Sequence, residues 1–293
     1  MALAGLVQLE VALREEGFQF IVNPPSHQRL DNLVNVRRLI EGKSAELLTY
    51  FPRALVYDPG VQEIPWGGDR ALVAKVDGTC SGSGILRFDS FGEFETFYER
   101  AGLEGSIPRR VLVRLGLKKK TDSYVFARGV QRSSEIIISE WFDTWSETYK
   151  GWVNVAVYFA FGRMTFANPR ISFERWKIHD APAQRGLATL GAHQRRALAE
   201  HVLDIVESNR YALEAIAALV KYALLRFDCV ITVDGGGSLR ITEIEIKGGP
   251  QSVVQAETLP MMEAAGFGVG SVRRASGAGF PGSAELHSFM DCL

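Results

Sequence analysis

Residues Arg226 to Lys247 read RFDCVITVDGGGSLRITEIEIK. Two strand-like runs flank Asp234-Gly235-Gly236-Gly237, the composition a β-hairpin turn takes. Side chains along a strand point to alternate faces, so Arg226 and Asp228 share a face of the first run. On the second run Glu243, Glu245 and Lys247 share one face, and Ile244 and Ile246 share the other. Carboxylates on adjacent strands are oxygen-only donors that suit Mg2+, a hard cation that takes one or two carboxylates together with phosphate oxygens. A solvated strand face with Lys247 as ion-pair partner accounts for the same residues, and the hairpin alone does not choose between the two.

The chain has 293 residues, 46% of them hydrophobic, enough for one large domain or two modest ones. Its 33 basic and 34 acidic residues leave a net charge of -1. No overall field draws such a chain to nucleic acid or to an anionic membrane, and neither is expected as a partner. Cys80, Cys229 and Cys292 are odd in number and widely spaced. They suit neither a disulfide framework nor a CxxC metal site, so the expected location is the cytoplasm. The opening MALAGLVQLEVALREEGF is interrupted by Glu10, Arg14, Glu15 and Glu16 and lacks the pattern of a signal peptide. His27, His179, His193, His201 and His287 show neither HxH nor HExxH spacing, and none is assigned to metal.

Working backwards from the hairpin, residues 192 to 225 carry apolar positions at helical spacing, with a break at Ser208-Asn209 that predicts two helices. WVNVAVYFAFGRMTFANPRISF alternates as a hairpin around Gly162. Between residues 51 and 139 the expected strands are RALVYD, RALVAKVD, GILRF, RRVLVRLGL, SYVFARGV and SEIIISE, with FGEFETFYERAG as a helix. Lys118 to Lys120 read as a solvated turn between two of those strands. Before them come a helix over residues 3 to 16, a strand at GFQFIVN and a helix from Asn32 to Ile40.

Lys75 lies in an otherwise apolar strand, where an ammonium needs a partner, and a phosphate would serve. The glycine-rich link GTCSGSG follows it directly. Glycines let backbone N–H groups converge on phosphate oxygens, but no GxxxxGK[ST] or GxGxxG pattern is present, and an ordinary turn has the same composition. Gly78-Thr79-Cys80-Ser81-Gly82 also matches G-x-C-x-G, a nucleophile elbow with Cys80 as nucleophile. That elbow needs a helix next, and ILRFDSF reads as a strand.

The order of these features carries more than each one does. Lys75, then Ser81-Gly82-Ser83-Gly84, then Glu140-Trp141-Phe142 with Glu147, then Arg226-x-Asp228 and Glu243-x-Glu245, together resemble the ATP-grasp superfamily over about residues 50 to 265. The resemblance implies an α+β ATP-grasp fold, two α+β subdomains clamping ATP, with a shortened N-terminal α/β segment. The parts expected are that segment at 1–50, a lid subdomain with the glycine loop at 51–139, and a C-terminal subdomain with the metal site at 140–293.

By the same resemblance, Lys75 meets the α- and β-phosphates and the backbone of Ser81, Gly82, Ser83 and Gly84 closes over them. Glu140 lies near the adenine amine, Trp141 and Phe142 offer backbone groups, and Glu147 accepts from the ribose hydroxyls. Asp228, Glu243 and Glu245 hold Mg2+, and Arg226 stabilises the transferred phosphoryl group. Lys177 reaches the γ-phosphate, with Arg170 and Arg175 as alternatives. Glu245 stands where the family has asparagine, and Arg37 and Arg38 stand where it often has a lysine.

The activity implied is an ATP- and Mg2+-dependent ligase that joins a carboxylate to an amine, each a small molecule or a peptide, through an acylphosphate. A kinase acting on a hydroxyl, or a non-catalytic nucleotide-binding protein, would use the same ATP residues. The short N-terminal segment implies either a homo-oligomer, whose second subunit supplies acceptor contacts, or a large acceptor that brings its own.

Overall fold

Leu33, Val34, Val36 and Ile40 are buried along one side of α1 (Leu33–Glu41), the helix expected from Asn32 to Ile40. A 3-10 helix follows at Ala45–Tyr50. It ends on Tyr50, whose hydroxyl donates to Asn209 Oδ1 at 2.9 Å. The computed structural model describes residues 33–60, 63–77, 84–103, 121–160, 162–173, 176, 186, 189–220 and 224–245. The helix expected over 3 to 16 and the strands expected at GFQFIVN and RRVLVRLGL lie outside the described residues.

The chain divides into two compact units, one formed by Pro52–Phe142 and the other by Met1–Phe51 together with Asp143–Leu293. In the first, β1 (Ala54–Val56), β2 (Leu72–Val76), β3 (Ile85–Phe88) and β4 (Ile136–Glu140) form an antiparallel sheet in the order β1-β4-β2-β3. Strand β2 sets its two faces. Leu72, Ala74 and Val76 are buried in one core, while Val73 and Lys75 between them point the other way.

Helices α2 (Phe91–Leu103) and α3 (Asp122–Gln131) cover that core with Phe91, Phe94 and Phe126, and Phe88 of β3 joins them. The rings meet edge to face, Phe88 on Phe94 at 5.5 Å and Tyr57 on Phe94 at 4.8 Å. Burying each such side chain stabilises the unit by about 1.5–3 kcal/mol. Tyr57 sits against this cluster, and its phenol is pushed up to about 12, by burial first and then by Glu95, Tyr98, Glu99 and Asp58.

The segment SYVFARGV, expected as a strand, is helical in α3. Its β-branched and aromatic residues suggest a strand, yet Phe126 and Gly129 are the residues buried and Val130 packs beside them, a helical rather than a two-residue spacing. Thr121 caps the helix by accepting from the Tyr124 N–H at 3.3 Å.

In the second unit β5 (Trp145–Ser146), β6 (Gly151–Ala160), β7 (Arg163–Ser172), β8 (Leu224–Thr232) and β9 (Ser238–Glu245) build an antiparallel sheet. Strands β7, β6, β8 and β9 are neighbours in that order, and β5 pairs with the first residues of β6. Its apolar face, including Val155, Val157, Ile171, Phe227 and Ile231, packs under α4 (Ala192–Ser208) and α5 (Arg210–Val220). Both hairpins and the break between the two helices agree with the sequence reading. Leu224 and Leu225, read with the second helix, instead open β8. The fold is α+β, as expected, and among the described residues no helix is long and apolar enough to cross a membrane.

Gly129 lets α3 lie directly on β2. A Cβ there would stand 2.5 Å from Val76 Cγ1 and 2.6 Å from Cγ2. A β-branched side chain in a strand has little room to turn aside. We expect Gly129→Ala to lower stability in urea denaturation, overpacking of about 1–3 kcal/mol outweighing the ~1 kcal/mol of helix propensity that alanine adds.

Candidate functional site

The face of the larger sheet turned away from α4 and α5 is polar. Register places Asn154 of β6 opposite Arg170 of β7, and Ala156 opposite both Asn168 of β7 and Asp228 of β8. Residues so paired share a face. Arg170 is only 3% exposed, and its Nη1 donates to Asp228 Oδ1 at 3.3 Å. To do so it passes over β6, where Ala156 leaves room. From the strand of Asp228 itself, Arg226 Nη2 donates to Oδ2 at 2.8 Å. One carboxylate thus links β7 to β8 across β6.

Glu243 lies opposite Asp228 on β9, and Glu245 opposite Arg226. A β-bulge interrupts the ladder just there, since Cys229 pairs with Ile241 and Thr242 is the extra residue. Thr242 Oγ1 donates to the Asp228 carbonyl at 3.0 Å and fixes the bulge. Ile241 and Ile244, three apart, therefore both reach the core, while Glu243 keeps the face of Asp228. Beneath, the Cys229 thiol is fully buried, and burial first, then the Asp228 charge, pushes its pKa well up, so it is inert.

Among the described residues no group of three His, Cys, Asp or Glu is placed to hold a metal. The side chain of Glu245 is not among those described. Asp228 and Glu243 are two hard carboxylates in register, the donor type Mg2+ takes alongside phosphate oxygens, and both Asp228 oxygens already accept from arginine.

The other expected positions are these. Lys75 is half-buried on the sheet face away from α2 and α3, opposite Ile85 and Ile137. Ser81, Gly82, Ser83 and Lys177 lie outside the described residues, as does Arg175. Gly84 is anchored in the fold: at φ +69°, its N–H donates to Asp122 Oδ1 at 3.3 Å and its carbonyl accepts from the Val76 N–H at 3.2 Å. Glu140 receives Arg53 on both oxygens, at 2.9 and 3.2 Å, with Arg70 at 3.8 Å. The Arg53 hydrogen bond holds its carboxyl below the usual glutamate range. The Trp141 N–H donates to Ala71 O at 3.2 Å, and Arg87 lies 5.2 Å over the indole. The backbone of Phe142 follows β4 directly.

Glu147 is exposed and accepts from Lys150 Nζ at 2.6 Å and Trp145 Nε1 at 2.9 Å, which together lower its pKa. Its own N–H donates to Asp234 Oδ2 at 2.6 Å, and Thr148 and Ser146 hydroxyls donate to Oδ1 at 2.8 and 3.2 Å. Burial raises the Asp234 pKa, but these donors more than offset it and the net shift is downward. The sequence marks Asp234 only as a turn residue, because its partners are 86 to 88 residues away. Asn154, Asn168 and Ser172 were also missed, although Asn168-x-Arg170-x-Ser172 places a polar residue at every second position of β7.

No family model matches the chain, and no curated protein does. The solved structures it is similar to include the following. The ATP-grasp ligase PsnB with a minimal precursor is 12% identical over 80% of this chain and 58% of that one, TM-score 0.38. D-alanine–D-alanine ligase from Bacillus anthracis with ATP is 15% identical over 78% and 59%, TM-score 0.38. The biotin carboxylase domain of 2-oxoglutarate carboxylase from Hydrogenobacter thermophilus is 15% identical over 86% and 49%, TM-score 0.44. The chain thus spans less than two thirds of each.

Two measurements probe the ion pairs. Asp228→Ala strands the Arg170 charge in a site where its side chain is 4% exposed, and we expect a loss of about 3–5 kcal/mol in urea denaturation. Replacing Arg170 by Met in the same chain should restore most of it. Because the Glu140 pKa is lowered by folding, its contribution is present above the ordinary glutamate pKa and lost as pH falls through the folded value. Arg53 is 43% exposed, so solvent screening limits the pair to about 1 kcal/mol or less, and Arg53→Met should flatten the acid side of a stability–pH curve by that amount.

Proposed function

We propose that the chain is an ATP- and Mg2+-dependent ligase of the ATP-grasp type, joining a carboxylate to an amine through an acylphosphate. The observation that supports it is the placing of Glu243 opposite Asp228, with Arg226 and Arg170 on the Asp228 carboxylate, on one polar face of the sheet. Asp228 and Glu243, with Glu245 as third ligand, would hold Mg2+. Bound there, the ion would neutralise charge on the β- and γ-phosphates.

Lys75 would meet the α- and β-phosphates, and the backbone of the loop through Ser81, Gly82 and Ser83 would close over them. Gly84, already held by Asp122, would fix the end of that loop. With its carboxylate occupied by Arg53, Glu140 would act through the position it gives to the backbone of Trp141 and Phe142 beside adenine. Glu147 would accept from ribose, and Lys177 would reach the γ-phosphate.

A carboxylate oxygen of the first substrate attacks the γ-phosphorus and ADP leaves. The amine of the second then attacks the acyl carbon, phosphate departs, and the nitrogen gives up a proton. Arg226 would stabilise the charge that develops on the phosphoryl oxygens.

The test is ADP release by the purified chain. We expect it to need both a carboxylate and an amine, to fall ~100-fold or more in Glu243→Gln with unchanged melting, and to show a roughly tenfold higher KM for ATP in Lys75→Ala. ADP formed alongside a stable phosphorylated alcohol, with no need for amine, would make it a kinase. Binding of ATP without turnover, indifferent to Glu243→Gln, would make it a binding protein. Asp228→Asn is the poorer probe, because Asp228 also neutralises buried Arg170.

A further inference from the structure

An aspartate at the head of a glycine turn ordinarily spends its carboxylate on the turn's own backbone. Asp234 directs it elsewhere. Its hydrogen bonds reach 86 to 88 residues back along the chain: the Ser146 and Thr148 hydroxyls donate to Oδ1 at 3.2 and 2.8 Å, and the Glu147 N–H donates to Oδ2 at 2.6 Å. The Ser146 oxygen in turn accepts from the Tyr149 N–H at 3.1 Å, which closes the turn after β5. The β8–β9 turn is pinned at its other end as well. Gly237 has φ +65°, and a Cβ there would stand 2.9 Å from Ile205 Cγ1 on α4. Asp234 therefore belongs to a fixed support rather than a loose loop tip.

What that support holds is Glu147. Its carboxylate is braced on both oxygens, by Trp145 Nε1 at 2.9 Å on Oε1 and by Lys150 Nζ at 2.6 Å on Oε2. Trp145 is set in turn by Trp152, edge to face at 4.7 Å. Lys150 reaches its oxygen from φ +52°, a left-handed conformation that lysine seldom takes. A carboxylate has about four acceptor sites, so two remain, on a side chain that is 73% exposed. Two acceptor sites on one braced anion match the two O–H donors of a ribose cis-diol. The bonds of Asp234 decide where those sites stand, because they hold the chain at Glu147 itself and on both sides of it.

We propose that Asp234 is a positioning residue for nucleotide ribose: it places Glu147 so that the chain prefers a nucleotide carrying both ribose hydroxyls to one carrying neither. This rests on the reading of Glu147 as the ribose acceptor, and the two fail differently in the experiment. Asp234 touches no substrate itself. Its role is geometric, so an asparagine should serve in its place. The amide oxygen can accept from the Glu147 N–H, and the amide N–H2 can donate to the two hydroxyls, which accept as well as give.

The measurement is calorimetric binding of ATP and of 2′,3′-dideoxy-ATP, each with Mg2+, to the full chain. The ratio of the two dissociation constants does not depend on how much of a variant is folded. The parent should favour ATP about tenfold or more, since the analogue lacks both donors to a charged acceptor. Glu147→Ala and Asp234→Ala should each bring the ratio to within about threefold of unity, whereas Asp234→Asn should keep most of the preference. Thr148→Val removes one donor at an exposed position and serves if Asp234→Ala does not fold; it should cost about threefold of the preference. A parent that binds neither nucleotide, or binds both alike, or keeps its preference in Glu147→Ala, removes the ribose reading and the role of Asp234 with it. A preference lost in Glu147→Ala but unchanged in Asp234→Ala and Thr148→Val leaves the ribose reading standing and overturns the role of Asp234. That is the result if Asp234 only stabilises the fold, because both nucleotides then weaken together. Asparagine failing as badly as alanine would trace the effect to charge and overturn the geometric role.

Discussion

The Asp228 carboxylate is the point on which the larger unit turns. Arg170 reaches it from two strands away and Arg226 from its own strand, and Thr242 donates to its carbonyl. A guanidinium as buried as that of Arg170 is tolerated only with a counter-charge, so the anion and the burial of the polar face require one another. The apolar face needs no such device. Its valines, isoleucines and phenylalanines are fixed by packing under two helices, which leaves the opposite face open to charged and amide side chains.

The two units solve different physical problems. In the smaller, the helices among the described residues lie on one side of the sheet, and a close aromatic cluster with Gly129 against Val76 sets their approach. Polar atoms there, such as those of Arg53 and Glu140, pair near solvent, although Trp66 Nε1 is buried with no partner among the described residues. In the larger, polar side chains are buried without being fully paired, at Asn154, Asn168 and Ser172. Stability alone does not select such atoms, and their clustering on the face that carries Asp228 and Glu243 separates them from ordinary core residues.

Much of this was legible before any coordinates. Period-two alternation marked β2 and the two long hairpins, a short apolar run marked β4, and the Asp234 to Gly237 turn fixed which charged residues would share a face. What alternation misjudged was SYVFARGV, where strand-prone residues fold as a helix because Phe126 and Gly129 meet the neighbouring sheet. The far end of α5 was misjudged for a related reason, since Leu224 and Leu225 suit a helix and a strand equally. Pairings distant in sequence stayed hidden altogether. Nothing near Glu140 announces Arg53, 87 residues away, and nothing near Asp234 announces Thr148.

The bulge at Thr242 bears on how such sites can be found in other sequences. Removing that one residue would leave a regular ladder, with Cys229 still beside Ile241 and Asp228 still beside Glu243. The number of residues between the two carboxylates can therefore change by one while both keep their faces. A search that demands a fixed interval would miss relatives that share the geometry, whereas one that asks which acidic residue falls in phase with the core isoleucines would keep them.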